Sequence, residues 1–429
     1  MAPADHHTRR RVLITGVGAV TNLGLDATTT WDAMVRGRSG AKPITGDEFA
    51  PWADAWDVRI AGQILDFDPT SRIDKREARR IDRFAQLGLC AAAEAVEHAR
   101  LDFTREDPLR CGVVIGSGIG GIQTIEAGVH LLDEKGPGRI SPFTVPRLMV
   151  NACAGLASIR WGLRGPSSAH ATACASSGHS IGDACRAIQR GEADVMLAGG
   201  AEAAVSPICV AAFAAMKALS TRNDDPGAAS RPFDKDRDGF LLAEGAGVVV
   251  LESEDHARAR NAPVLAELAG FGLSSDASHI TAPDPAGDGA VRSMRAALDD
   301  AGLAPTDIDY INAHGTSTPL GDAAEVAAVL QVFGDHARAS TGGALRMSST
   351  KSMHGHCLGA SGGVEMVACL GAIRHGVVPP TINLDHPDDG FDINLVPHTA
   401  ADAAVTTVMN NTFGFGGHNV TLIIRRDSA

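Results

Sequence analysis

Cys174 is preceded by the small, β-like stretch Ala169-His170-Ala171-Thr172-Ala173 and followed by an amphipathic run with Ile181, Cys185 and Ile188 on one stripe. A cysteine at the start of a helix sits at the positive end of the helix dipole, which lowers its pKa towards the nucleophilic thiolate. Two further segments place histidine at the carboxyl end of a strand-like run. They are Asn312-Ala313-His314-Gly315-Thr316-Ser317-Thr318, after Ile308–Ile311, and Lys351-Ser352-Met353-His354-Gly355-His356, after Leu345–Ser349. Sites in α/β sheets assemble at the carboxyl ends of strands. One thiol and two imidazoles converging there suit acyl transfer through a thioester. The other seven cysteines (90, 111, 153, 185, 209, 357 and 369) form no CxxC pair and are read as reduced core residues.

Other motifs carry less. Gly116-Ser117-Gly118-Ile119-Gly120-Gly121 fits GxGxxG, but a helix over Ile122–Glu134 follows where a dinucleotide fold needs a second strand ending in an acid. Asp234-Lys235-Asp236-Arg237-Asp238-Gly239 opens like a calcium loop, yet Gly245 stands where the bidentate glutamate belongs. The pairs His354/His356 and His6/His7 lack a third ligand at helical or hairpin spacing, so no metal is expected.

The elements that must position these residues alternate along the chain. Val12–Ile14, Gly112–Ile115, Asp194–Ala198 and Ala246–Leu251 read as strands, as do Val264–Phe271, Ile308–Asn312, Leu345–Ser349 and Val420–Ile424. Helical patterns cover Glu77–Ala99, Ile181–Ile188, Val291–Ala301, Ala323–Phe333 and Gly363–His375. This rhythm predicts an α/β protein with buried sheets covered by helices. Each half ends alike, in a glycine-rich turn running into an apolar strand, which points to a duplication split at 1–260 and 261–429.

The bulk numbers agree with this reading. The chain has 429 residues, 44% hydrophobic and 21% charged, so it is globular and not disordered. Its 38 basic and 51 acidic residues give −13, which argues against nonspecific nucleic-acid binding. No apolar run is long enough to span a membrane, and the N-terminus lacks the apolar core of a secretory signal, so a cytoplasmic location is expected.

With the three segments in place, the sequence resembles the elongating β-ketoacyl-acyl carrier protein synthases, the type II condensing enzymes. The resemblance runs from Arg11 to about Arg425 and includes Phe413-Gly414-Phe415-Gly416-Gly417-His418-Asn419 and Leu219-Ser220-Thr221-Arg222-Asn223. It implies a duplicated thiolase-like fold, five-layered α-β-α-β-α with two mixed sheets, in a homodimer. Cys174 then matches the acyl-carrying nucleophile, and His314 and His356 the pair that assists malonyl decarboxylation. Lys351 and Glu325 match a buried charged pair. Thr316 and Thr318 match hydroxyls that hold a pantetheine arm, Phe413 and Phe415 belong to a gating loop, and Ile119 and Phe213 line an acyl tunnel. The backbone N–H groups of Cys174 and Phe415 match an oxyanion hole. Arg76, Arg79 and Arg80, spaced to share one helix face, match a docking surface for acidic acyl carrier protein, with Lys217 as a further contact. No cofactor is implied beyond the phosphopantetheine that the carrier brings. His354 stands where many relatives have a small residue, and is expected to be exposed near the site mouth.

Three other readings share these residues in part. A thiolase would use a second cysteine as base, but His356 stands at that position. A ketosynthase of a type II polyketide system would have the same catalytic set. A non-catalytic chain-length factor would lack the nucleophile that Cys174 supplies.

Overall fold

The computed structural model describes residues 9–428, so His6 and His7 lie outside the described residues. Ten strands carry the architecture. They are β1 (Val12–Thr21), β2 (Cys111–Gly116), β3 (Ser167–Ser168), β4 (Val195–Glu202), β5 (Gly245–Ser253), β6 (Ala266–Ser275), β7 (Tyr310–Asn312), β8 (Arg346–Ser348), β9 (Thr407–Gly414) and β10 (His418–Arg425). β1–β5 form one mixed array in the order β3-β2-β4-β5-β1, and β6–β10 a second in the order β8-β7-β9-β10-β6. In the first, β2 runs parallel to β3 and β4, while β5 is antiparallel to β4 and β1. The second repeats this pattern: β7 is parallel to β8 and β9, and β10 antiparallel to β9 and β6. A short ladder pairing Leu13 with Glu267 and Ile14 with Ala266 joins the two arrays edge to edge.

Seven helices complete the layers: α1 (Arg83–His98), α2 (Ile122–Lys135), α3 (Ala152–Trp161), α4 (Ser176–Gln189), α5 (Asp288–Ala301), α6 (Pro319–Phe333) and α7 (Ser361–His375). α1 and α3 pack against the first array, α5 and α6 belong with the second, and α4 and α7 lie between the two. Strand periodicity divides the core accordingly. Val248 and Val250 of β5 join Leu87 and Ala91 of α1, whereas Val249 between them joins Ile181 of α4 and Leu370 of α7. On β10, Ile423 packs with Met294 of α5 while Leu422 and Ile424 face the central layer. Strands buried on both faces read as continuous apolar runs, which is how Val248–Leu251 and Leu422–Ile424 appear in the sequence. The glycines at the start of α7 have a steric reason. A Cβ on Gly363 would stand 2.3 Å from the Gly247 carbonyl oxygen, so α7 approaches β5 backbone to backbone.

Elements depart from the sequence reading in several places, and α3 and β3 have no counterpart in it. The helix expected over Glu77–Ala99 is two: Lys75–Ala78, capped by Asp74, and α1, which Asp82 starts anew by accepting from Phe84 N at 3.2 Å. Asp82 is an N-cap residue, and capping wins over the apolar periodicity that runs across it. β9 has no counterpart in the predicted strands. Among the described residues no helix is long and apolar enough to cross a membrane.

Candidate active site

Cys174 sits in a tight turn, Ala173–Ala175, immediately before α4. Ala173 takes φ +50, a left-handed conformation costly for any residue with a Cβ. The turn is held by Ser176, whose hydroxyl donates to Ala173 O at 2.6 Å and accepts from Thr172 N at 3.0 Å. The thiol is thereby presented into the interface between the two arrays and is almost fully buried. His356 Nε2 lies 3.0 Å from Cys174 Sγ, and its Nδ1 lies 2.9 Å from the Ser361 hydroxyl at the start of α7. The His314 ring stands 5.4 Å from that of His356 at an interplanar angle of 85°. The Cys174 sulphur and one ring nitrogen of each histidine lie within 4.8 Å of one another.

Burial dominates the electrostatics. It pushes the Cys174 thiol up to about 11, against the opposing pull of the Lys351 charge and of the Phe415 and Cys174 backbone N–H groups aimed at the sulphur. The thiolate expected from the helix dipole is therefore not the resting state. Burial, aided by the Lys351 charge, also drives both His314 and His356 well below the usual imidazole value. The resting centre is a neutral thiol facing two neutral imidazoles.

The charged pair expected between Lys351 and Glu325 is built differently. Lys351 is fully buried and its ammonium meets Glu365 of α7. Glu325, on α6, instead accepts from the backbone N–H groups of His314 at 2.9 Å and Gly315 at 2.7 Å. It thus fixes the turn that carries His314, while Lys351 acts on the histidines through its field. His354 is buried, not exposed at the mouth. Its Nε2 lies 3.1 Å from Thr350 Oγ1, and burial lowers its pKa to about 3.

A cavity of about 310 Å³ opens onto the sulphur. Ile119 and Phe213 line it from the first half of the chain, and Thr316, Thr318, Phe413 and Phe415 from the second. The hydroxyls of Thr316 and Thr318 are 3.0 Å apart. Phe415 is half-buried and followed by Gly416 at φ +86 and Gly417 at φ +73, values that favour glycine. Arg76, Arg79, Arg80 and Lys217 are exposed and lie outside the cavity. Arg79 caps the short helix and Arg80 follows it, so the three arginines do not share one continuous helix.

Sequence reasoning missed several contributors. A loop after β6 reaches over the phenylalanine loop: Gly416 N donates to Ile280 O at 2.7 Å and Asn419 Nδ2 to Asp276 at 2.6 Å. Its polar composition carried no signal. Glu365 did carry one, as the sole charge inside the apolar run Gly362–Ile373. Charges in apolar runs are retained where a partner meets them.

The comparisons with known proteins bear on the same residues. The β-ketoacyl synthase N-terminal domain family matches residues 9–257, and the β-ketoacyl synthase C-terminal domain family residues 265–385. A 3-oxoacyl-[acyl-carrier-protein] synthase 2 of Coxiella burnetii is 47% identical over 418 residues, 97% of this chain and 99% of its own. A crystal structure of a β-ketoacyl synthase from Burkholderia phymatum superposes with a TM-score of 0.88 at 34% identity, covering 97% of this chain and 100% of that one. A type II polyketide ketosynthase bound to the hexaketide and in complex with its acyl-carrier protein gives 0.89 at 31% identity, covering 98% and 100%. Matched over both halves, the chain belongs to the β-ketoacyl synthase family.

Proposed function

We propose that this protein is an elongating β-ketoacyl-acyl carrier protein synthase, an acyltransferase that extends a fatty acyl chain by two carbons. The observation that carries the reading is the His356–Cys174 contact of 3.0 Å, with His314 set at a right angle beside it. In the first half-reaction the Cys174 sulphur attacks the thioester of an acyl-loaded carrier, the acyl–sulphur bond to the carrier breaks, and the Cys174 proton leaves on the carrier thiol. In the second, malonyl thioester enters along Thr316 and Thr318. Loss of CO₂ from it leaves an enolate whose oxygen accepts from the His314 and His356 N–H groups. The enolate carbon attacks the acyl-Cys174 carbonyl, the Cys174 and Phe415 N–H groups hold the oxyanion, and its collapse breaks the bond to sulphur, so that the β-ketoacyl product departs on its carrier and the Cys174 thiolate takes a proton from water. Ser361 Oγ lies 2.9 Å from His356 Nδ1, and in the tautomer this mechanism uses its hydroxyl donates there and Nε2 carries the proton.

The partners follow from the same reading. Substrates arrive on acyl carrier protein, an acidic partner suited to the exposed Arg76, Arg79, Arg80 and Lys217 of a chain that is −13 overall. A homodimer would cover the exposed Ile125, Val129 and Leu132 of α2 beside Phe143, together with the free edge strand β3. No cofactor and no metal take part, the halves are 1–260 and 261–429, and the enzyme works in the cytoplasm. Fatty acid synthesis is preferred to a polyketide pathway because identity to the fatty-acid relative, 47%, exceeds the 31% of the polyketide enzyme. The test is elongation of acyl carriers of graded length with malonyl carrier, read by mass spectrometry. A gain of two carbons supports the proposal, and no product from any chain refutes it.

A further inference from the structure

We infer that Glu202, at the end of β4, is a positioning residue that sets which acyl chains the cavity accepts. The inference rests on the elongating activity proposed above and goes beyond it. Glu202 is completely buried, and among the described residues it forms no salt bridge. A carboxylate is kept in such a place only if hydrogen bonds replace its hydration. Four donors do so. Ser117 Oγ and Ile119 N meet Oε1 at 2.7 and 3.2 Å, and Gly118 N and Gly359 N meet Oε2 at 2.7 and 3.0 Å. Ser117 in turn accepts from Gly120 N at 2.9 Å, so the whole Ser117–Gly120 turn hangs on this one side chain.

The donors belong to two adjoining segments of the cavity wall. Ile119 lines it from the turn after β2, and Leu358, next to Gly359, lines it from the segment that carries His356. These segments are as close as backbones allow, since a Cβ on Gly359 would stand 2.3 Å from Gly118 N. Glu202 is the clasp between them. The second half of the chain uses the same device on the other side of the sulphur. There Glu325 accepts two consecutive backbone N–H groups, at His314 and Gly315, in the turn after β7. One buried carboxylate fixes the histidine that meets malonyl, and the other fixes the isoleucine that meets the acyl tail.

A glutamine at 202 separates these roles. With its oxygen at the Oε2 position it keeps Gly118 and Gly359, and its NH₂ donates to Ser117 but opposes the Ile119 N–H. Glu202→Gln thus frees Ile119 while the rest of the clasp holds. The readout is the ratio of kcat/KM between the preferred acyl chain and one four carbons longer, in which any loss of active enzyme cancels. We expect this ratio to fall at least tenfold in Glu202→Gln. Ser117→Ala, which removes another anchor of the same turn, is expected to move it in the same direction. Glu325→Gln is expected to lower turnover on all chains alike and leave the ratio in place. A ratio within twofold of wild type in both Glu202→Gln and Ser117→Ala overturns the inference, as does an equal shift in Glu325→Gln. Wild-type enzyme that elongates nothing would instead refute the activity itself.

Discussion

At the scale of the residue, the site depends on removing charge from water without leaving it unpaired. Cys174 and both histidines rest neutral because burial penalises their charged forms, and the one strong cation, Lys351, is held by Glu365 behind them. This has a measurable consequence. An unperturbed thiol is half ionised near pH 8.5 and almost fully ionised by pH 10, whereas Cys174, pushed up to about 11, is not. Alkylation of Cys174 by iodoacetamide, followed by peptide mass spectrometry, is therefore expected still to rise above pH 10, where an unperturbed thiol has levelled off. A plateau by pH 10 would contradict the neutral-thiol assignment. Of these residues, Cys174, His314 and His356 were legible in the sequence because each is a reactive type placed beside a glycine-rich or strand-to-helix junction. The partner of Lys351 was not. Glu325 and Glu365 are both acids set among apolar helix residues, and only the fold decides which one the ammonium reaches.

At the scale of the element, a strand with a polar interior could not be read from its pattern. β9 runs Thr407-Val408-Met409-Asn410-Asn411-Thr412-Phe413-Gly414 and buries Asn410, Asn411 and Thr412. Asn410 donates to Gly362 O at 3.2 Å, and Asn411 donates to Glu325 at 3.3 Å and accepts from the Thr421 hydroxyl at 2.9 Å. An alternation of apolar and polar residues therefore never appears. The same strand delivers Phe413 and Phe415 to the cavity, so the gate hangs from the element that was hardest to see. Phe415→Ala should slow condensation at least tenfold while the melting temperature moves by only a few degrees, since the ring is half-buried and the loop is glycine-flanked. Elongation by this variant at the wild-type rate would remove the gating role. The docking surface belongs to this scale too. Reversing Arg79 and Arg80 to Glu should raise KM for carrier-bound substrate at least tenfold at low salt and abolish its salt dependence. Because both side chains are exposed, stability should hardly change, and an unchanged KM at low salt would contradict docking there.

At the scale of the whole molecule, two copies of one strand pattern have been given different work. On the proposed mechanism the first half contributes the nucleophile, on the turn before α4, and the acyl-side wall at Ile119. The second contributes the two histidines, the threonine pair and the phenylalanine loop. The duplication was visible in the sequence as a repeated glycine-to-strand ending. That the two arrays would join through β1 and β6, with α4 and α7 back to back between them, depends on long-range pairing that no local pattern records. The division of labour predicts that the two half-reactions separate by mutation. The most direct test measures CO₂ release from malonyl carrier and the mass of acyl-enzyme in parallel for Cys174→Gln, His314→Ala and His356→Ala. Cys174→Gln should lose condensation yet keep or increase CO₂ release. Each histidine variant should lose CO₂ release by about 10²–10³-fold, the usual cost of one oxyanion donor, while Cys174 still gains the acyl mass. A folded Cys174→Gln enzyme that releases no CO₂, beside histidine variants that still do, would contradict the account.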